Sequence, residues 1–128
     1  MCVFLFSATV CTTSPLGMED GRIQDSQLTA SSHANVNVAP AKARLNHGAG
    51  IGDAWHPRVF TTNEWIQVDL NVSTAVTGLV LQGRDKDNNR LQYVTKYRVQ
   101  YSDATSWIWI RDVDKLDAKV NLPIVSTI

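Results

Sequence analysis

The sequence predicts a single all-β domain, a sandwich or barrel built from short antiparallel strands. Several runs alternate apolar and polar residues, turn-forming residues separate these runs, and almost no segment repeats apolar residues at helical spacing. The length of 128 residues suits one domain with a real hydrophobic core. A hydrophobic fraction of 44% and a charged fraction of 19% are ordinary for globular proteins, which excludes a disordered chain.

Six runs are expected to form strands. Trp65–Leu70 alternates strictly, with its aliphatic residues on one face and its polar residues on the other. Residues 76–82 are apolar without alternation and are expected to be buried on both faces. The other runs are 28–32, 97–101, 107–111 with both tryptophans on one face, and 121–128, which begins a further strand.

Turn signals lie between these runs. Gly48, Gly50 and Gly52 alternate in a stretch that neither a helix nor a strand tolerates well. Residues 85–89 form a polar loop, and residues 71–74 link two predicted strands as a turn. We find no internal repeat and no low-complexity linker, so the chain is treated as one unit.

The charges argue against nucleic-acid binding and against a polybasic membrane anchor. Twelve basic side chains balance twelve acidic ones, and neither half of the chain holds a basic block. No apolar stretch reaches the length of a membrane-spanning helix. Residues 1–10 are apolar without a basic start, which leaves two interpretations: a remnant of a signal peptide, or the end of a preceding exon or an apolar strand.

Metal sites and catalytic motifs are not expected. Cys2 and Cys11 do not define the redox compartment, and the three histidines add no zinc-ligand spacing. Residues 85–89 resemble the start of an EF-hand loop, but Arg90 and Lys96 replace the required glycine and glutamate. No nucleophile elbow, HExxH motif or P-loop is present, so we predict neither an enzyme nor a cofactor. A calcium site built from backbone carbonyls is not readable from a sequence.

The order of several short motifs resembles the discoidin domain, also called the coagulation factor five/eight type C domain. The opening at residues 11–32 carries the first part of this resemblance, which extends to residue 128. Later landmarks are Ala43–Asn46, Ala54-Trp55, Glu64–Leu70, Val76–Gly78, Gln82–Arg84, Tyr93–Ser102 and Ser106-Trp107.

The resemblance implies a distorted jelly-roll β-barrel or sandwich of the galactose-binding-domain-like type, with binding loops at one end. Members are extracellular, are not enzymes themselves, and bind glycans, anionic phospholipids or proteins such as collagen. The family closes with an aromatic-rich strand and a second cysteine that pairs with the one at position 11. The resemblance therefore implies that residues 11–128 are a discoidin-type domain incomplete at its C-terminus, with the disulfide partner of Cys11 beyond the chain end.

The first expected binding loop spans residues 33–40. His33, Asn35 and Asn37 offer hydrogen-bonding groups suited to sugar hydroxyls. The alternative is that the asparagines satisfy the backbone of their own loop. Val36 and Val38 are the apolar tip, which is small for membrane insertion and has no cationic collar.

The second expected loop spans residues 46–55. Trp55 is either a stacking platform for a ligand or a core residue, and its match to a family landmark favours the core. His47 is a binding candidate, although a solvated or loop-bonding role is favoured.

The third expected loop spans residues 83–90 and holds three basic and two acidic groups within residues 84–90. An arginine fork binds a pair of sugar hydroxyls, a carboxylate or a phosphate. The alternatives are a solvated charged turn and, for Arg84, an ion pair with Asp69. The binding candidates in this loop are Arg84, Asp85, Lys86, Asn88 and Arg90.

The resemblance implies an extracellular adhesion module, and the residues of its loops make a cell-surface or matrix glycan of galactose type the first expected partner. The three loops are rich in Asn, His, Arg and Asp and are expected to be poor in exposed aromatic side chains, which favours a sugar. Anionic phospholipid bound through the two valines and a matrix protein bound through the third loop are the alternatives. The sequon Asn71-Val72-Ser73 lies in a predicted turn and predicts N-glycosylation of Asn71.

Overall fold

The computed structural model describes residues 2–9, 12–47, 54–84, 92–102, 105–110, 118–120 and 124–127. The strands of this part are β1 Cys2–Thr9, β2 Thr12–Pro15, β3 Leu28–Ala30, β4 Trp65–Val68, β5 Thr74–Gln82, β6 Arg98–Ser102, β7 Trp107–Ile110, β8 Ala118–Val120 and β9 Ile124–Thr127. Its helical elements are single 3₁₀ turns at Asp25–Gln27, Val36–Val38 and Pro40–Lys42. None of these turns could cross a bilayer as a helix. The predicted all-β class is confirmed.

The strands form two antiparallel sheets. The first has the order β2-β1-β5-β8, and the second has the order β3-β4-β9-β6-β7. Residues 2–9 form β1, which pairs with β2 and β5. A signal-peptide remnant and an apolar strand were both among the interpretations that the sequence allowed for this stretch. The strand β8 lies outside the six runs that the sequence predicts as strands.

The strand β4 shows the alternation that the sequence predicts. Ile66 and Val68 are buried, while Trp65 and Gln67 are half-buried. Antiparallel pairing places Leu28 opposite Val68 and Ala30 opposite Ile66, so the buried side chains of β3 and β4 reach the same core. The period-2 pattern therefore identified both the strand and its buried face.

The expectation that residues 76–82 are buried on both faces is wrong for Val80, which is exposed. The pairing with β1 shifts within this strand, since Phe6 faces Gly78 while Ser7 faces Val76. Thr77 is thus an extra residue, a β-bulge, which inverts the alternation. As a result Val76 before the bulge and Leu79 after it both contact the core despite their odd spacing.

A single buried cluster fills the described core. Trp55 belongs to it with 3% of its surface exposed, which confirms the core interpretation of this residue. The other buried members are Met18, Ile23, Leu28, Ala43, Ile66, Val68, Leu70, Val76 and Val99.

The path of β4 and β5 defines two ends of the fold. The start of β4 lies beside Ser31, because the Trp65 backbone N–H donates to the Ser31 hydroxyl at 3.0 Å. The end of β4 lies beside Gln27, whose backbone carbonyl accepts from Asp69 at 2.8 Å. The chain then turns at residues 69–73 and returns along β5 toward Arg84.

A candidate binding pocket and its rim

A pocket of about 720 Å³ opens at the end of the fold where β4 begins and β5 ends. Two chain segments that are distant in sequence form it. Its walls are residues 54–57, 60–62, 84 and 92–96. Arg84 and Lys96 are the charged groups of this lining, and no acidic residue of the described lining opposes them.

The floor of the pocket is rigid because Trp55 is anchored in the core beneath it. The indole Nε1 of Trp55 donates to the backbone carbonyl of Ser32 at 2.9 Å. Ala54 and Pro57 on either side are buried as well. The tryptophan therefore supports the pocket from below, and its ring is not an open stacking platform.

Two aromatic side chains stand exposed at the pocket. Phe60 is 79% exposed and Tyr93 is 69% exposed. The Phe60 ring packs edge-on against the half-buried ring of His56, with 4.7 Å between the ring centroids. The expectation of a rim poor in exposed aromatic side chains is therefore wrong.

The sequence missed these two aromatics for different reasons. Phe60 follows Pro57 in a loop without strand periodicity, so no alternation marked it. Tyr93 begins the family landmark Tyr93–Ser102 and precedes the predicted strand 97–101, so no pattern marked it as a surface aromatic. A large apolar residue in a segment without periodicity is the signal that could have found Phe60.

The first predicted loop is hydrogen-bonded to the pocket wall at His56. The Ala34 N–H donates to the His56 carbonyl at 3.1 Å, and the His56 N–H donates to the Val38 carbonyl at 3.2 Å. Between these bonds the 3₁₀ turn Val36–Val38 holds the Val36 side chain 78% exposed. The first loop is thus hydrogen-bonded to the residue whose ring packs against Phe60.

Asn35 satisfies the backbone of its own loop, which was the alternative to a role in binding sugar hydroxyls. Its Oδ1 accepts from the Asn37 N–H at 2.9 Å and caps the 3₁₀ turn. His33 and Asn37 are exposed, and Val38 is partly buried.

Arg84 lines the pocket, held by a bridge to Gln92. Two backbone hydrogen bonds of 2.7 and 3.1 Å join these residues, and Arg84 Nη1 donates to Gln92 Oε1 at 3.2 Å. Asp69, the proposed ion-pair partner, follows the far end of β4, where its Oδ1 accepts from the Asn71 N–H. The separation of the two ends argues against that ion pair.

The remaining candidates are divided between the described and undescribed parts of the chain. His47 is exposed and its Nε2 lies 3.5 Å from Lys42 Nζ, and it is not part of the pocket wall. Asp85, Lys86, Asn88, Arg90 and Cys11 lie outside the described residues. In the described part of the chain no three histidine, cysteine, aspartate or glutamate side chains are grouped as metal ligands.

We define the rim as the exposed apolar, aromatic and cationic side chains in or beside the segments that form the pocket and its neighbouring loop. It combines four apolar or aromatic side chains with two cations. The rim consists of Val36, Arg58, Val59, Phe60, Tyr93 and Lys96.

The buried carboxylate of Glu64 lies below the rim and binds three hydroxyl groups. Glu64 Oε2 accepts from the hydroxyls of Ser31 at 2.6 Å and Ser32 at 2.8 Å, and its Oε1 accepts from Thr61 at 3.1 Å. The Ser32 hydroxyl also accepts from the Arg58 N–H. Glu64 therefore connects the end of β3 to the segment that carries Phe60.

These hydroxyls, Ser31 first, then Ser32 and Thr61, lower the pKa of Glu64 below its usual value, and burial opposes them. A lowered folded-state pKa contributes stability above the unfolded-state pKa, and this stability is lost as the pH falls through the folded-state value. We expect Glu64→Gln to be less stable than the wild type near neutral pH. The difference should shrink as the pH falls below the ordinary pKa of a glutamate, about 4.3. Thermal unfolding of both proteins across this range measures it, and a pH-independent difference would contradict the role of the carboxylate.

Comparisons with known proteins agree on the type of domain. A family model described as the F5/8 type C domain matches residues 27–126. Lactadherin of Sus scrofa is 35% identical over 130 residues, which cover 93% of this chain and 31% of lactadherin. Coagulation factor VIII of Sus scrofa is 43% identical over 97 residues, covering 73% of this chain and 4% of the factor.

A third relative is the EGF-like repeat and discoidin I-like domain-containing protein 3 of Homo sapiens. It is 39% identical over 115 residues, which cover 84% of this chain and 24% of the relative. The chain thus spans less than a third of the length of each of these three relatives.

Proposed function

Because this chain belongs to the F5/8 type C domain family, we propose that it is an extracellular recognition domain that attaches to anionic phospholipid surfaces through its rim. Attachment to cell surfaces or matrix is the role that membership in the family implies. The choice of phospholipid rests on one observation, the exposure of Phe60 and Val36 at the end of the fold that also presents the exposed cations Arg58 and Lys96. Glycan binding, the first expectation from the sequence, becomes the second candidate.

The apolar part of the rim is large enough to contribute substantially to membrane binding. Full burial of a valine or phenylalanine side chain is worth about 1.5 to 3 kcal/mol. Val36, Val59 and Phe60 are all exposed, and His56 both packs against Phe60 and is hydrogen-bonded to the loop that carries Val36. A group of exposed apolar side chains with polar residues around it is typical of a docking surface.

The charges next to these side chains fit an anionic surface. Arg58 and Lys96 are exposed, and Arg84 lies in the pocket between the two segments. Each such cation near an anionic membrane contributes about 1 kcal/mol, and salt screens this term. The formal net charge of the chain is zero, so the attraction is a local property of the rim.

The test is co-sedimentation with vesicles of phosphatidylcholine alone and with added phosphatidylserine. We expect the wild type to bind the anionic vesicles, and Phe60→Asp and Val36→Asp each to weaken binding about tenfold or more. Val72→Asp is the matched control, because Val72 is 65% exposed but lies in the turn between β4 and β5. Equal binding of the wild type and Phe60→Asp, or binding that ignores vesicle charge, would overturn the proposal.

The pocket itself favours the glycan as the second candidate. The exposed rings of Phe60 and Tyr93 could stack on a sugar face, and Gln92 and Arg84 supply groups for its hydroxyls. Retention on a galactose resin, measured with and without calcium, tests this candidate. Retention that free galactose abolishes would support it, and passage without delay under both conditions would count against it.

A further inference from the structure

The turn between β4 and β5 carries the sequence Asn71-Val72-Ser73, which has the acceptor pattern for N-glycosylation. We propose that Asn71 carries an N-linked glycan and that this glycan stands at the end of the fold opposite the rim. The proposal rests on the extracellular location proposed above, because glycan transfer takes place in the secretory pathway. It does not depend on which ligand the rim binds.

The turn presents the acceptor side chain to solvent. Asn71 has a φ of +60°, a conformation that asparagine adopts more readily than most other residues. Its N–H donates to Asp69 Oδ1 at 2.8 Å, and the Val72 N–H donates to the Leu70 carbonyl at 2.7 Å. These bonds fix the backbone around Asn71 and leave its side chain outward.

The reacting groups are accessible. Residues 71–73 are exposed throughout. Within the residues that the structure describes, no hydrogen bond engages the Asn71 carboxamide or the Ser73 hydroxyl. The acceptor therefore needs no unfolding of the core to enter the active site of a transferase.

The modification is a substitution at the anomeric carbon of a lipid-linked oligosaccharide diphosphate. The Asn71 Nδ2 forms a bond to that carbon and loses one proton. The bond from the carbon to the diphosphate oxygen breaks, and the lipid diphosphate leaves with the bonding electrons. The Ser73 hydroxyl is the second part of the acceptor pattern that the transferase reads.

The topology separates this turn from the pocket. The strand β5 begins at Thr74, directly after the turn, and ends at Gln82, two residues before Arg84 in the pocket wall. Nine strand residues at about 3.3 Å each place the two ends about 25 Å apart. The side chain of Glu64 below the rim and that of Asn71 also lie at opposite ends of β4. A glycan on Asn71 therefore leaves the rim uncovered.

The test expresses the full chain behind a heterologous signal peptide in a eukaryotic cell that secretes it. We expect the secreted protein to lose mass on treatment with peptide N-glycosidase, with residue 71 converted to aspartate and identified by peptide mass. Ser73→Ala should abolish the modification without changing the backbone of Asn71, and Ser73→Thr should retain it. A secreted wild type with unmodified Asn71 would overturn the proposal.

The second half of the proposal has a separate measurement. Glycosylated and enzymatically deglycosylated protein should bind anionic vesicles equally, within about a factor of two, because the glycan is far from the rim. Weaker binding of the glycosylated form would contradict this placement. If neither form binds vesicles, a tenfold or greater loss of accessibility of the rim to a protease or an amine label in the glycosylated form would contradict it instead. The mass measurement is unaffected by either result, so failure of glycosylation and failure of phospholipid binding are told apart.

Discussion

Replacing Trp55 with alanine is expected to lower the free energy of unfolding by about 3 to 5 kcal/mol. The side chain is almost fully buried and contacts the core cluster, so its loss removes apolar burial and leaves a cavity. It also removes the indole donor of the Ser32 carbonyl. The free energy of unfolding of a domain of this size is about 5 to 15 kcal/mol, so the expected loss is a large part of it. Urea unfolding followed by circular dichroism measures it.

Two variants separate the contributions of Trp55. Trp55→Phe keeps much of the apolar volume and removes the hydrogen bond, so its cost should be about 1 to 2 kcal/mol. Trp107→Ala is the matched control, since Trp107 is exposed on β7 and its removal should cost less than about 2 kcal/mol. Equal losses for Trp55→Ala and Trp107→Ala would contradict the position of Trp55 in the core.

The strand pattern was predictable where one face of a strand is buried and the other is not. The alternation of apolar and polar residues in Trp65–Val68 reflects a real difference between the two faces of the strand, so the order of residues alone predicted it. The bulge at Thr77 was not predictable, because an inserted residue that shifts the register leaves no mark in an apolar run. This is why residues 76–82 were assigned burial on both faces.

The candidate site was predictable as a set of loops but not as an arrangement. The position of residues 33–40 next to the pocket depends on backbone hydrogen bonds to His56, and such bonds have no side-chain signature in the sequence. The pocket likewise requires Arg84 and residues 92–96 to lie against residues 54–57 and 60–62. Only long-range topology supplies that proximity. The binding roles of His33, Asn37 and Arg84 stay predictions.

The landmark Ala43–Asn46 contains a buried arginine, Arg44, which contacts two other parts of the chain. This side chain is buried, its Nη1 donates to the Met18 carbonyl at 2.9 Å, and its Nη2 pairs with Asp25 Oδ1. The pair is asymmetric, because the Asp25 side chain is 71% exposed while that of Arg44 is 9% exposed. Water can take the place of the Asp25 carboxylate beside the guanidinium. Water does not reach the buried Met18 carbonyl, so this carbonyl loses its hydrogen bond when the guanidinium is removed.

Arg44→Ala is therefore expected to lower the free energy of unfolding by about 2 to 4 kcal/mol, the sum of an unsatisfied buried carbonyl and lost packing of the side-chain stem. Arg44→Met keeps the stem and should cost about 1 to 3 kcal/mol from the carbonyl alone. Asp25→Ala should cost less than about 1 kcal/mol, because an exposed partner is screened by solvent. Chemical denaturation of the three variants decides between the two contacts. If Asp25→Ala is as costly as Arg44→Ala, the ion pair outweighs the carbonyl bond, and the residue acts through its charge.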